Sequence, residues 1–419
     1  MTTDQPSSAD REGSADRDGS AQAGPLVGSG VDSVVGSGAG SGARPAAGWD
    51  DPFAPPAAER RWILIARALA SVFAERAAAL DESGELPMDN LRALHASGLD
   101  VAMLPQAAGG EGLSMRTFGE VLRIISGACP STGVIWLMHV GAAVTLVSLG
   151  DPETSAYYAA ELKAGSRFAN ALSEPTSGNM FLVPMQNAEP TEGGFRLAGA
   201  KRFVSGCEVA SHYLVNALVD GVPTFFGVDR DESISFVPIW DTMGLRATRS
   251  QLVSFDDTLL RADRRCRPPG PGDPNPIGIG LAMLSVGIAE AAFAAMAAHA
   301  RGRVIPTTGA PLSAMQWVTF EAAEMHVRIA AAHLLAAKTT WLADVGSPAM
   351  LDAAIEAKLY ANEVARQVAD LGVRVGGGSG YLRTSPIQRH FRDAQAGGLM
   401  AYSVEVCKDV VGRRVLDAP

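Results

Sequence analysis

The stretch Gly376-Gly377-Gly378-Ser379-Gly380-Tyr381, followed by Pro386 and by Phe391-Arg392-Asp393-Ala394, decides how this chain is read. Glycines in such a run leave the backbone without Cβ atoms, so its N–H groups can come close to an anion at a helix start. The same run also suits a plain turn between two helices. On either side lie long alanine-dense segments. Helices are expected at 280–300, 314–345, 350–375 and 386–415, joined by short loops, the pattern of a four-helix bundle. Alanine favours the helix and lets neighbours approach closely.

Upstream of the proline-rich joint at 268–276 the texture is different. Short β-rich runs at 195–197, 202–205, 213–219, 224–228, 234–238 and 252–255 are separated by Gly193-Gly194, Asp220-Gly221 and Asp231-Glu232. That spacing predicts a small barrel or sandwich. Further upstream helical periodicity returns. Trp62, Ile65, Leu69, Val72, Phe73 and Leu80 mark one helix, and Leu91, Leu94 and Leu99 a second. After a break at Gly109-Gly110-Glu111-Gly112, Phe118, Val121, Ile124 and Ile125 mark a third, and 134–149 a fourth that ends at Gly150. Residues 1–50 hold 26 Gly, Ser and Ala, too little apolar surface to offset chain entropy, so a disordered tail is expected there. The expected class is α+β, mainly α. A helical domain spans 51–165, a β-barrel or sandwich 166–268, and a four-helix bundle 269–419.

Composition narrows the function. The 419 residues carry 35 basic and 45 acidic side chains, a net charge of −10, which argues against a nucleic-acid partner. No run of 18 uncharged apolar residues stands out, so no membrane span is expected. The start lacks the basic and apolar segments of a secretory signal. Cys129, Cys207, Cys266 and Cys407 form no CxxC pair and read as reduced thiols of a cytoplasmic protein. Seven dispersed histidines without HExxH give no metal site.

Four motifs in the right order make the chain resemble the acyl-CoA dehydrogenase superfamily of flavoenzymes across 57–416. Leu172-Ser173-Glu174-Pro175-Thr176-Ser177-Gly178-Asn179 is similar to the family's TEP-x-AGSD loop over the flavin. Gly199-Ala200-Lys201-Arg202-Phe203-Val204-Ser205-Gly206 resembles G-x-K-x-W-I-T-N. Met243-Gly244-Leu245-Arg246-Ala247-Thr248 with Val253-Ser254-Phe255-Asp256-Asp257 matches MG-x-R-x-S/T … V-x-F-x-D. The stretch quoted at the outset fits GG-x-GY … P … RDA.

The resemblance implies bound FAD, with FMN as the other flavin to consider, and a homodimer or homotetramer. It places Leu172, Ser173, Phe203, Val204 and Ser205 at the flavin ring, with Ser205 at N5. It places Gly376, Gly377, Gly378, Gly380 and Gln316 at the adenosine diphosphate half of a neighbouring subunit's FAD. The family's R-x-x-F-G is replaced by Arg301-Gly302-Arg303, so either arginine is a candidate for the pyrophosphate. A surface-helix residue is the plain reading of Gln316.

Catalysis is where the chain departs from the family. Dehydrogenation of an acyl thioester needs a carboxylate to take the weakly acidic α-proton. The usual glutamate stands seven residues after the alanine of RDA, and here that position is Ala401. The other place used in the family falls near Ile277. Glu405 follows Ala401 by four residues, on the same helical face if the helix continues, and is the substitute base to consider. Tyr402 titrates too high to be a good base. The Phe203-Val204-Ser205-Gly206-Cys207 strand resembles the monooxygenase branch, where reduced flavin activates O₂ and no α-proton base is needed. That branch often has a histidine soon after RDA, which this chain lacks; His390 and His212 read as packing or surface groups, and Cys207 as a small packing residue. Three readings stay open: a monooxygenase of a small molecule served by a flavin reductase, an acyl-CoA or acyl-carrier-protein dehydrogenase with a relocated base and an electron-transfer flavoprotein partner, and a flavin-binding paralogue without turnover.

Overall fold

Helix α1 (Arg60–Ser83) buries Trp62, Ala66, Phe73 and Ala77, the three-to-four spacing of a helix with one face in a core. The computed structural model describes residues 51–175, 182–270, 272–273 and 275–417. The expected 1–50 tail, and Thr176, Ser177, Gly178 and Asn179 of the first motif, lie outside the described residues. Helices α2 (Met88–Ala96), α3 (Leu99–Ala102), α4 (Met115–Ala128), α5 (Pro130–Leu149) and α6 (Pro152–Lys163) follow α1. Ser114 accepts from the Thr117 amide and Asp151 from the Thr154 amide, so both helices start on side-chain caps.

Among the described residues seven strands follow: β1 (Phe168–Ala171), β2 (Ala188–Thr191), β3 (Gly194–Val204), β4 (His212–Val219), β5 (Val222–Asp229), β6 (Ile234–Val237) and β7 (Gln251–Arg261). They form two sheets, ordered β1-β4-β5 and β2-β3-β7-β6, and only β1 with β4 is a parallel pair among them. The runs expected at 195–197 and 202–205 are one strand. It shifts register against β7 between Leu197 and Gly199 and between Lys201 and Val204, and such bulges break the period-two pattern that marks a strand in sequence. β1 and β2 were not anticipated: each has four residues, and β1 is buried throughout, so neither shows alternation.

The C-terminal helices are α7 (Pro276–Gly302), α8 (Gln316–Asp344), α9 (Met350–Tyr381), α10 (Pro386–Gly397) and α11 (Val404–Val415). The single helix expected over 386–415 is therefore two. Gly397 and Gly398 end the first, Ala401 and Tyr402 take left-handed φ of 26° and 42°, and Ser403 caps the second through the Val406 amide. α8 and α9 run antiparallel, with Arg328 donating to Gln367 at 2.6 Å and Arg374 3.8 Å from Glu321. α10 returns along α9, with Ile387 against Gly372 and Gly376 and the Asn362 amide on the Gly397 carbonyl. The end of α7, the start of α8, the end of α9 and the start of α10 consequently share one end of the bundle.

Among the described residues two helices, α5 and α7, are long and apolar enough to cross a membrane by length and composition alone, a pattern the sequence reading did not register. Their apolar windows are 83% and 72% buried inside the protein. α7 packs so closely on α4 that a Cβ on Gly287 would collide with the Arg123 backbone. Surrounding helices thus account for the apolar composition.

Candidate functional site

The bulge in β3 sets the first part of the site. It puts Phe203 at φ 59° and turns its ring outward, 48% exposed. The Arg202 guanidinium stands 4.0 Å over that ring, and Trp240 meets it edge-on at 6.2 Å. An exposed aromatic face held by a cation–π contact is a suitable wall for a planar ligand. Beside it, the Arg202 amide donates to the Ser173 carbonyl at 2.8 Å, which joins the second motif to the first. Leu172 and Val204 are buried, and Ser173 is half-buried.

Beneath this wall lies a wholly buried ion pair. Lys201 Nζ is 2.7 Å from Glu174 Oε1, and both side chains have no exposure. The same ammonium donates to the Asn216 carbonyl and to its Oδ1, while Glu174 also accepts from the Met185 and Gln186 amides. Burial pushes the Lys201 pKa down even though Glu174 opposes the shift. The sequence contains an acid and a base inside the first two motifs, but nothing local shows that Glu174 and Lys201 meet, 27 positions apart. Behind Val204, Ser205 is 8% exposed and its hydroxyl is 2.8 Å from that of Ser250.

The third and fourth motifs lock the β-sheets to the bundle. The Leu245 amide donates to buried Asp393 at 2.8 Å. Arg392 pairs with Asp81 at the end of α1 and donates to the Met243 carbonyl, and Arg246 donates to the Asp81 carbonyl. A Cβ on Gly244 would run into the α10 backbone at Arg392 and Asp393, so the motif needs glycine there. Burial raises the Asp393 pKa to about 6.

Neither expected base position holds an ionisable group. Ala401 is half-buried in the turn between α10 and α11. Ile277 is buried at the start of α7, packed where a Cβ on Gly141 of α5 would stand. Glu405 does not share a helical face with Ala401, because α10 ends at Gly397 and α11 begins only at Val404. Glu405 lies in the exposed first turn of α11, where hydrogen bonds from its own amide and from Ser403 lower its pKa. A group not anticipated at all sits behind the turn. Lys358 of α9 is 3% exposed and donates to the Gly397 carbonyl at 3.2 Å and the Tyr402 carbonyl at 2.8 Å. Burial brings its pKa down to about 8.

The glycine run divides into two roles. Gly376 and Gly380 are buried, and a Cβ on either would meet Ile387 at 3.0 and 3.5 Å, so they serve the packing of α10 on α9. Gly377, at φ 51° and ψ −147°, kinks α9. Nothing lies within 4 Å of a Cβ added to Gly377 or Gly378, so these two offer an open backbone. Arg301, Arg303 and Gln316 are exposed at this same end, with no side-chain hydrogen bond or ion pair among the described residues. Exposed guanidinium groups beside an open glycine backbone suit a diphosphate. The aromatic wall at Phe203 suits a ring system, so the residues present fit a flavin dinucleotide.

The remaining candidates are structural. His212 lies between Asp229 and Glu161, at 2.7 and 3.1 Å. His390 is buried, and burial drives its pKa down to about 4. Cys207 is buried with its pKa pushed up to about 12, which leaves it an inert thiol.

Fold and motifs together define a flavin-dependent oxidoreductase, and the chain belongs to the acyl-CoA dehydrogenase superfamily. Residues 64–166 match the family's N-terminal domain, and residues 278–416 match its C-terminal domain. The mitochondrial short-chain specific acyl-CoA dehydrogenase of Bos taurus is 28% identical over 358 residues, 81% of this chain and 85% of that one. The 3-sulfinopropanoyl-CoA desulfinase of Paraburkholderia xenovorans is 28% identical over 378 residues, covering 86% and 96%. Among solved structures, FMN-bound TdsC of Paenibacillus sp. A11-2 superposes with a TM-score of 0.77 at 21% identity, over 85% of this chain and 97% of that one.

Proposed function

We propose that this flavoenzyme is a reduced-flavin, O₂-dependent monooxygenase of a small molecule. The observation that carries the reading is the turn at Ala401. The residue where the family keeps its glutamate is an alanine in a left-handed turn, Ile277 fills the other location, and Glu405 is exposed on a separate helix. Without a placed carboxylate, removal of an α-proton from an acyl thioester has no general base. The flavin, when bound, supplies the electrons and the O₂ activation. What the protein supplies is position. Phe203 and Arg202 would form one wall and Ser205 would offer a hydroxyl at the ring, while Lys358 holds the turn that carries Ala401 through the Gly397 and Tyr402 carbonyls. Likeness to FMN-bound TdsC supports the fold's use with a flavin mononucleotide as well.

A second reading is favoured by the two relatives described above, each 28% identical to this chain. Both of those described are named for CoA thioesters, so an acyl-thioester substrate with a relocated base is the alternative. Gly377, Gly378 and Gln316 support FAD as the resident flavin in either case.

A homodimer fits the surface of α8. Phe320, Ala323, Val327, Ala330 and Leu334 are exposed at alternating spacings of three and four, the seam of paired helices; Phe320, Val327 and Leu334 are 65%, 66% and 56% exposed. Gln316 continues the same seam four residues earlier. A second copy packed here would bring its flavin's adenosine end to Gln316 and Gly377.

Anaerobic addition of butanoyl-CoA to the yellow holoprotein tests the reaction class. No bleaching, with substrate oxidation that requires a flavin reductase and O₂, is the expected result. Direct bleaching that Glu405→Gln abolishes would overturn it and establish the relocated base. Ala401→Glu, conversely, should introduce bleaching by supplying the missing carboxylate.

A further inference from the structure

Three hydroxyls behind the Phe203 wall form a chain with a direction. Ser205 Oγ is 2.8 Å from Ser250 Oγ, and Ser250 Oγ is 2.8 Å from Thr248 Oγ1. Thr248 Oγ1 donates to the Leu245 carbonyl at 2.9 Å. A hydroxyl has one proton and two lone pairs. Thr248 spends its proton on the carbonyl and so can only accept from Ser250. Ser250 has then spent its own proton and can only accept from Ser205. With its proton directed inward, Ser205 presents a lone pair outward.

The opposite direction is less favourable. Thr248 would withdraw from the Leu245 carbonyl, which keeps the Thr248 amide and Trp240 Nε1 as donors, so the cost falls at the far end, where the displaced proton would leave Ser205 with no protein acceptor among the described residues. The inward direction gives all three protons a protein partner, and unmade hydrogen bonds are costly in a buried site. Thr248 is 0% and Ser250 3% exposed, so water has little access. The backbone holds the chain in place: the Gly206 amide donates to the Thr248 carbonyl at 3.0 Å, and the Thr248 amide to the Leu245 carbonyl at 3.0 Å.

We propose that Ser250 and Thr248 are positioning residues that make Ser205 a hydrogen-bond acceptor toward flavin N5 and so favour the reduced cofactor over the oxidised one. Reduced flavin carries a hydrogen on N5, which an accepting hydroxyl matches. Oxidised flavin has only a lone pair there, which it opposes. The inference rests on the placement of Ser205 at N5 in the reading above. It deepens that reading, because a monooxygenase served by a reductase gains from holding reduced flavin more tightly than oxidised.

The test is the midpoint potential of the bound flavin, measured on the holoprotein by equilibration with a reference dye. Ser250→Ala and Thr248→Val should each free Ser205 to donate outward. Each should cut the preference for reduced flavin about tenfold, the effect of one hydrogen bond, which is a fall of about 30 mV for a two-electron couple. Ser205→Ala should also lower the potential, and Ser205→Ala/Ser250→Ala should fall no further than Ser205→Ala alone, since Ser250 acts only through Ser205. Thr248→Val keeps the side-chain shape and stands in if the Ser250 variant does not fold. An unchanged or raised potential in both single relay variants, with Ser205→Ala still effective, overturns the relay and leaves Ser205 at N5. A potential indifferent to Ser205→Ala removes Ser205 from the flavin, and the proposal with it.

Discussion

Replacing Lys201 by methionine breaks its buried pair with Glu174, and the structure sets the size of the effect. Lys201 and Glu174 are 2.7 Å apart with no exposed side-chain surface, so water cannot take over when one partner is lost. Removing one member of a buried pair costs about 3–5 kcal/mol, because the survivor is left charged in a medium of low dielectric. The Met185 and Gln186 amides still reach Glu174 and should hold the cost toward the lower figure. The Asn216 carbonyl and Oδ1 lose a donor, which acts the other way. Glu174→Gln in the same background keeps an acceptor for the amides and removes the stranded charge. The double variant should therefore recover much of the loss, with a coupling of about 2 kcal/mol. Guanidinium unfolding followed by tryptophan fluorescence measures the stabilities, and flavin fluorescence measures cofactor retention. Lys201→Met should also weaken flavin binding, since the pair ties the Ser173 loop to the strand that carries Phe203. A Lys201→Met protein within about 1 kcal/mol of the parent, or a double variant as unstable as the sum of the singles, would show that the pair does not carry this stability.

Other consequences are open to direct measurement. Asp393, with a folded pKa of about 6 against an ordinary 3.8, binds its proton more tightly folded than unfolded, so stability should fall as pH rises from about 4 to 6 and stay level above. Asp393→Asn still accepts from Leu245 and should abolish that slope, gaining up to about 3 kcal/mol at pH 7. Lys358, lowered to about 8, is protonated longer in the unfolded chain. Stability should therefore rise between about pH 8 and 10.5 and lose that rise in Lys358→Met, as pH-dependent urea melts would show. Phe320→Glu with Val327→Glu puts like charges along the α8 seam and should give monomers by light scattering; a dimer that persists would place the interface elsewhere. Gly376→Ala should destabilise the fold by crowding Ile387, whereas Gly378→Ala should leave unfolding unchanged and weaken flavin binding, a contrast that calorimetry and flavin titration resolve.

The order of helices, strands and helices is legible in the chain, because local periodicity carries it. Trp62, Ala66 and Phe73 repeat as a helix does wherever the helix packs. The family is legible there too, through short motifs whose residues lie side by side. Tertiary structure decided what those residues do. Gly376 and Gly378 look alike in sequence, yet one packs on Ile387 and the other opens to solvent, because a neighbouring helix covers only one of them. Glu405 seemed one turn from Ala401, until Gly397, Gly398 and the left-handed Ala401 and Tyr402 ended the helix between them. Asp81 and Arg392 meet across 311 residues, and Glu174 and Lys201 across 27. The Ser205–Ser250 contact likewise joins the residue after β3 to the residue before β7, 45 positions apart. Contacts of that kind leave no local pattern: a charged or hydroxyl side chain is read as a surface group until the fold brings its partner and excludes the water.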